Sequence, residues 1–319
     1  MKNNKRKVIF DCDPGLDDAL ALLLALASDD IDILAVKTIA GNSTIDYTTQ
    51  NALDLLHFYG RDDIPVARGN ANPILGNFSL GPHVHGKRGI GSVELKTSPK
   101  KEHPLRAHDF IHQLLIESDE KITLIATGPL TNIALAISLY PEIVDKIELI
   151  SMMGGSLNVG NIGAATEANA GNDPEATHII LSCGVPIAMF GLHLTYATQI
   201  YPEDMDRIEA IGGEFAKTIA DFNRFHFQFY KNELGFKGDP SHDSCAVAYL
   251  INPDIFTMEK YNVVMDLDGK YSRGQTIVDL YNVTQREPNV LFGLKSDREA
   301  FVNLIIESVQ KISERLEHN

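Results

Sequence analysis

Four aspartates fall within eight residues near the start of the chain, in the run Asp11-Cys12-Asp13-Pro14-Gly15-Leu16-Asp17-Asp18. Carboxylates this dense repel one another. A helix N-terminus offsets only about 0.3–1 kcal/mol per group, whereas a bound divalent cation removes the repulsion more completely. Oxygen donors select a hard ion, Ca²⁺ or Mg²⁺, over zinc. Helix capping accounts for a single aspartate, not for all four. A second acidic spot is Asp239-Pro240-Ser241-His242-Asp243. A histidine beside an aspartate can supply both an acid and a metal ligand, although a cap next to a surface histidine is the plainer reading of that pair taken alone. A third stretch places Asn158, Asn161, Glu167, Asn169 and Asn172 after Met152-Met153-Gly154-Gly155. Amides beside a carboxylate both donate and accept, which suits hydroxyl recognition. A solvated loop is the competing explanation.

Elements must position these groups. Residues 7–12 read as a short apolar strand, 17–28 as an Ala/Leu-rich helix and 31–40 as a second strand. Residues 47–59 form a helix with Gly60 suited to its C-terminal cap. Strand 121–126, helix 130–139 and strand 147–153 follow. Asp173 is a good N-cap, with Pro174 at the first helical position. Strand 186–192 leads to a long helix at 213–233 and a shorter one at 244–250. Beyond Tyr261 the pattern turns β-rich, and a final amphipathic helix covers 297–312 with Phe301, Leu304, Ile305 and Ile312 on one face. Strands rich in Ile, Val and Leu between helices imply an α/β fold: an open, mostly parallel sheet flanked by helices, with a β-rich C-terminal portion. No repeat or low-complexity linker divides it, so residues 1–319 are expected to form a single domain. Ligands of such sheets bind beyond the C-terminal strand ends, where the first acidic run lies. The Gly/Pro-rich segment 69–91 is a long loop of the kind that often carries function.

Composition narrows the partners. The 319 residues carry a formal charge of −15, with 44% hydrophobic and 22% charged residues. A negative chain argues against nucleic acid and anionic membranes and disfavours polyphosphates. Cys12, Cys183 and Cys245 are few, odd in number and far apart, so neither a disulfide framework nor a Cys-x-x-Cys zinc site is expected. The basic start, Met1–Lys7, is followed by too few apolar residues for a signal-peptide core. The apolar run 19–27 is too short to span a bilayer. A cytoplasmic setting is expected.

Taken together, the sequence resembles the nucleoside hydrolase family of inosine-uridine type. The resemblance rests on DCDPGLDDA at 11–19, AGN at 40–42, VHG at 84–86, TGPLTN at 127–132, MMGG at 152–155, EAN at 167–169, DPEA at 173–176 and SHDSCAVAYLINP at 241–253. It implies the nucleoside hydrolase fold and hydrolysis of the N-glycosidic bond of ribonucleosides to base and ribose. It also implies a Ca²⁺ ion held by Asp13, Asp18, the Thr127 carbonyl and Asp243, with Asp13 as the base for the attacking water and Asp11 in support. By the same resemblance Asp17, Asn42 and Asn169 hold the ribose 2′- and 3′-hydroxyls, Asn161 and Glu167 the 5′-hydroxyl, and Met153 lines the sugar pocket. His242 acts near the leaving base, His85 matches a pocket histidine, and a homo-tetramer or homo-dimer is common. The sequence departs from the family pattern at Ala168, where a bulky aromatic is usual, at Lys87-Arg88, and at His193 in GLHLT.

The chemistry fits such a site. N-glycosidic cleavage builds positive charge on the sugar, which a carboxylate-rich pocket stabilises. Calcium lowers the pKa of water and templates the diol. No Gly-rich phosphate cradle or Arg/Lys clamp is evident, which favours a nucleoside over a nucleotide. His226 and Tyr230, one helical turn apart, are candidates for touching the base, with core packing as the alternative. Segments 236–243 and 270–281 lean towards pyrimidines. Two rivals remain. A haloacid dehalogenase-type phosphatase would use Asp11 and Asp13, but Pro14-Gly15-Leu16-Asp17-Asp18 is not its usual continuation. A nucleoside- or ribose-binding protein without turnover is the other. Zinc at His83/His85 or His108/His112 lacks an evident third ligand.

Overall fold

The computed structural model of the protein describes residues 5–318; Met1–Asn4 of the basic start lie outside the described residues. Strand β1 (Arg6–Cys12) alternates its side chains between two apolar clusters: Val8, Phe10 and Cys12 face one, Ile9 the other. Helix α1 (Leu16–Ala27) follows after Pro14-Gly15 and is buried along its whole length. That accounts for its nearly all-apolar composition. Strand β2 (Ile31–Thr38), helix α2 (Ile45–Phe58) and the short β3 (Val66–Arg68) complete the first wing of the sheet. Gly60 ends the α2 segment with φ +68°, a left-handed conformation that favours glycine.

The chain then runs through the long loop, which contains a single turn of helix, α3 (Pro82–His85), and into α4 (Ala107–Glu117). It returns to the sheet as β4 (Ile122–Ala126), α5 (Thr131–Leu139) and β5 (Ile147–Met153). The one-turn α6 (Ala168–Asn172) and α7 (Pro174–Ser182) come next, with Asp173 capping α7 through Ala176 N at 3.0 Å. Strand β6 (Ile187–Phe190) ends before 192 because the chain there winds into α8 (Leu192–Thr195). A two-residue strand β7 (Gln199–Ile200) and helix α9 (Pro202–Glu209) precede the long α10 (Gly213–Leu234). Then come β8 (Asp239–Pro240), paired with β7, and α11 (Ser244–Ile251). The β-rich end comprises β9 (Phe256–Tyr261), the β10 (Val263–Met265)–β11 (Thr276–Val278) pair and β12 (Val290–Ser296) before α12 (Arg298–Glu317).

The main sheet has eight strands in the order β3-β2-β1-β4-β5-β6-β12-β9. Every neighbouring pair is parallel except β12–β9. Helices α1, α2, α10, α11 and α12 contribute to the apolar cluster on one face, and α4, α5 and α7 to that on the other, the double covering that a parallel sheet requires. The chain builds outwards from β1 through β2 and β3, then resumes at β4 on the opposite side of β1. The gap beyond the C-terminal ends of β1 and β4 is therefore the switch point at which α/β sheets bind ligands. Helices α4 and α9 are elements for which the sequence offered no signal. Neither has a side-chain N-cap of the Ser/Thr/Asp/Asn type. No helix among the described residues is long and apolar enough to cross a membrane.

Candidate active site

Asp13 leaves the end of β1 directly over the switch point. Its Oδ2 accepts the Asn42 amide N–H at 2.7 Å, while its Oδ1 is buried and has no hydrogen-bond partner among the described residues. Two glycines close on this carboxylate. A Cβ on Gly41 would strike Oδ2, and one on Gly128 would lie 2.7 Å from Oδ1. Asp18, in the first turn of α1, is held by three donors: Gly15 N at 2.9 Å, Asn42 Nδ2 at 2.9 Å and Thr127 Oγ1 at 2.7 Å. Asp243, at the start of α11, brings its carboxylate within 4.8 Å of those of Asp17 and Asp18. The Thr127 carbonyl, just past β4, receives Asn169 Nδ2 at 2.9 Å. Floor and side wall are thus linked by one amide.

Electrostatics agree with this crowding. Burial, and then the charge of Asp18, holds the Asp13 carboxyl well above the usual carboxylate range. Burial followed by the charge of Asp17 raises Asp243 in the same way, and raises Asp18 to about 7 against the three hydrogen bonds that lower it. Burial also raises Asp17, against the pull of His226. All the donors are oxygens, and an oxygen of Asp13 is left without a partner. The clustered carboxylates of Asp17, Asp18 and Asp243, with the unpartnered Asp13 Oδ1 and the Thr127 carbonyl beside the same cavity, therefore suit a hard divalent cation, whose charge would let the carboxylates ionise together.

The side wall comes from β5 and α6. Met153 ends β5 and lines the cavity. Glu167 caps α6: Oε1 accepts Asn169 N at 2.8 Å, and Oε2 accepts Ala170 N at 2.9 Å and Gly155 N at 2.7 Å. Burial lifts its carboxyl to about 7 despite these bonds. Asn161 reaches the cavity from the loop between β5 and α6. The loop over the mouth is clasped by the next residues, because Ser79 N donates to Asn172 Oδ1 at 2.6 Å and Ile74 N to Asp173 Oδ2 at 2.8 Å.

The opposite wall is aromatic. Tyr230 of α10 and His242 meet at 2.9 Å (Oη to Nε2), and His242 Nδ1 meets Thr195 Oγ1 at 2.7 Å. Burial drives His242 down to about 3, with the nearby His226 in support, so its ring is neutral. His85, on α3, is neutral for the same two reasons and lies 3.8 Å from Asp17 Oδ1. Phe229, Tyr196, Leu234 and His83 also line the cavity beside this wall.

Most of these groups surround one cavity of about 210 Å³. Its lining brings together Asp13, Asp17, Asn42, His85, Thr127, Met153, Asn161, Glu167, Asn169, Tyr230, His242 and Asp243, and among the described residues it includes no Lys or Arg. Three expected site residues do not line it. Asp18 sits just beneath. His226 is buried behind His85, with ring centroids 5.0 Å apart, and pairs with Asp239 at 2.8 Å. Asp11 points away into the α5 side, where its Oδ1 accepts Asn132 Nδ2 at 2.8 Å.

The chain matches the profile described as inosine-uridine preferring nucleoside hydrolase over residues 8–303. It belongs to the nucleoside hydrolase family. Sequence relatives of this nucleoside hydrolase include the pyrimidine-specific ribonucleoside hydrolase RihA of Enterobacter sp., 41% identical over 97% of this chain and 99% of that protein. The RihA of Escherichia coli O81 is 38% identical over 95% and 98%. Among solved structures, a purine-preferring ribonucleoside hydrolase from Gardnerella vaginalis superposes with a TM-score of 0.91 at 30% identity, covering 97% of this chain and all of the other. As a member of the family, the nucleoside hydrolase acts as an N-ribosyl hydrolase.

The departures from the family pattern take different places. Ala168 lines the cavity. Lys87 and Arg88 use their backbones: Ser43 Oγ donates to the Lys87 carbonyl at 3.1 Å and Asn51 Nδ2 to that of Arg88 at 2.6 Å, pinning the loop. His193 lies away from the lining, bonded to the Gly293 carbonyl at 2.8 Å and stacked on Phe292. Thr195, Tyr196 and Phe229 are site neighbours that the sequence reading missed. The contact of Thr195 with His242 spans 47 positions, a separation that carries no periodic signal.

Proposed function

We propose that this nucleoside hydrolase cleaves pyrimidine ribonucleosides to base and ribose with Ca²⁺ held by Asp13, Asp18, the Thr127 carbonyl and Asp243. The observation that carries this reading is an opposition across one cavity. The unpartnered Asp13 Oδ1 stands at the floor, and the His242–Tyr230 pair stands at the wall. When bound, a hard cation there supplies a polarised water and an anchor for a vicinal diol. Asp13 Oδ1 is free to take the proton of the attacking water. Asp17, Asn42 and Asn169 hold the 2′- and 3′-hydroxyls, Asn161 and Glu167 the 5′-hydroxyl, and Met153 covers the ring. Positive charge growing on the sugar faces buried carboxylates.

The departing base needs a proton. His242 is neutral, so it acts through its neighbours: with Thr195 donating to Nδ1, the Nε2–H donates to the Tyr230 oxygen and the Tyr230 hydroxyl hydrogen-bonds the departing base in a neutral relay, while the proton that Asp13 takes from the water reaches the base through solvent. The absence of Lys and Arg from the described lining fits an uncharged substrate. Pyrimidine preference is supported by the 41% identity to a pyrimidine-specific enzyme, against 30% to the purine-preferring one. The test is a panel of nucleosides assayed for released ribose with and without chelator. Uridine and cytidine should be cleaved, and chelator should stop the reaction. Absence of ribose from every nucleoside would reject the reading, and faster cleavage of inosine would reject the base preference.

A further inference from the structure

We propose that Asp17, His85 and His226 form a second cation site, for a borderline divalent ion of the zinc class, adjoining the hard-cation floor. One ligand atom from each of the three residues lies within 4.8 Å of the others. All three are buried, at 8%, 6% and 1% exposure. Asp17 Oδ1 and His226 Nε2 have no hydrogen-bond partner among the described residues, and His226 Nδ1 faces only Asp239. His85 Nδ1 receives only a long contact of 3.4 Å from Leu16 N. Leaving several buried polar atoms unsatisfied in one place is costly, and a shared cation relieves it.

The donor set is two imidazoles and one carboxylate with an open fourth position, as in catalytic-type zinc centres. The all-oxygen floor suits a hard ion, so the two sites differ in the ions they select. Asp239 strengthens the assignment. Its Oδ1 pairs with His226 Nδ1 at 2.8 Å, which leaves Nε2 as the nitrogen open to a metal. A carboxylate behind a ligating histidine is the arrangement that orients such ligands. Asp17 and His85 line the cavity, so the open position faces substrate space. Asp17 also belongs to the trio with Asp18 and Asp243. It therefore bridges the two sites, and an ion on its outer side takes the carboxylate away from the ribose. Zinc is then an inhibitor that competes with nucleoside even when the floor is saturated with calcium.

The experiment titrates Zn²⁺ into calcium-saturated protein by calorimetry and records X-ray absorption at the zinc edge. One zinc per chain with two imidazoles in its first shell is the expected result. His226→Gln should abolish that binding, and Asp239→Asn should weaken it about 10–100-fold. If circular dichroism shows that His226→Gln does not fold, His85→Ala takes its place with the same expectation. No zinc bound in excess calcium, an all-oxygen shell, or unchanged affinity in the folded His variant would overturn the site. None of these readouts depends on hydrolysis, so the outcome stands whether or not the nucleoside reading does.

Discussion

The floor and the aromatic wall of the cavity are built in opposite ways. The floor hangs on backbone and on short polar side chains: Asp18 alone has three donors, and Asp13 is wedged between Gly41 and Gly128. The wall is made of long side chains from α10, α3 and the start of α11, touching through ring edges and single hydrogen bonds. A surface fixed by many short bonds tolerates no variation, whereas one made of side chains on a helix can change identity without moving the backbone. On the proposed reading, the floor carries the sugar chemistry and the wall the more adjustable base chemistry.

The sharpest test of that division is Asp13→Asn. It should lower kcat/KM by about 10⁴-fold or more on every nucleoside, the upper range for losing a general base, as read by ribose release. A loss confined to some bases would erase the distinction. His242→Ala should cost about 10²-fold on uridine yet less than about tenfold on a nitrophenyl riboside, whose leaving group needs no proton. Equal losses on both would remove His242 from the relay. Replacing both His226 and Tyr230 by alanine should shift the uridine-to-inosine ratio by about tenfold, the scale of a pocket contact. An unchanged ratio would remove both from base selection.

The smallest expected effect concerns stability. Burial lifts Asp11 and Asp18 to about 7 in the fold, against about 3.9 for an unfolded aspartate. Between those values the folded metal-free protein binds more protons than the unfolded chain. The stability these two groups contribute is therefore full below about pH 4 and lost as pH rises through about 7. Calcium offsets this by binding the ionised form, contributing about 2.7 kcal/mol at a hundredfold excess over Kd. The rise in melting temperature on adding calcium should be larger at pH 8 than at pH 5. A rise independent of pH would mean that the floor is not where calcium binds.

What could be read from the sequence follows the same divide. Four aspartates in eight residues announce themselves, as do Asp173-Pro174 at a helix start and the apolar run that became α1. Local spacing encodes these features. The partners of His242 and His226 are not local. Thr195 comes from a one-turn helix and Asp239 from a two-residue strand, and only packing brings them in. Asp239 was visible within the second acidic spot, but nothing in its spacing tied it to a histidine on α10. Likewise Lys37 reads as an ordinary charged residue in a strand. Its ammonium is nevertheless buried against the Phe110 ring, 3.4 Å from the centroid, and burial drives its pKa well down.

Gly41 and Gly128 contribute no atom to catalysis, yet they leave the room in which Asp13 stands. Adding a single methyl group at either position pushes the carboxylate out of register with water and sugar while leaving every chemical group in place. In a survey of all single substitutions, these two positions should be as intolerant as Asp13 itself. An alanine there would give a folded protein with its full set of functional groups and no turnover.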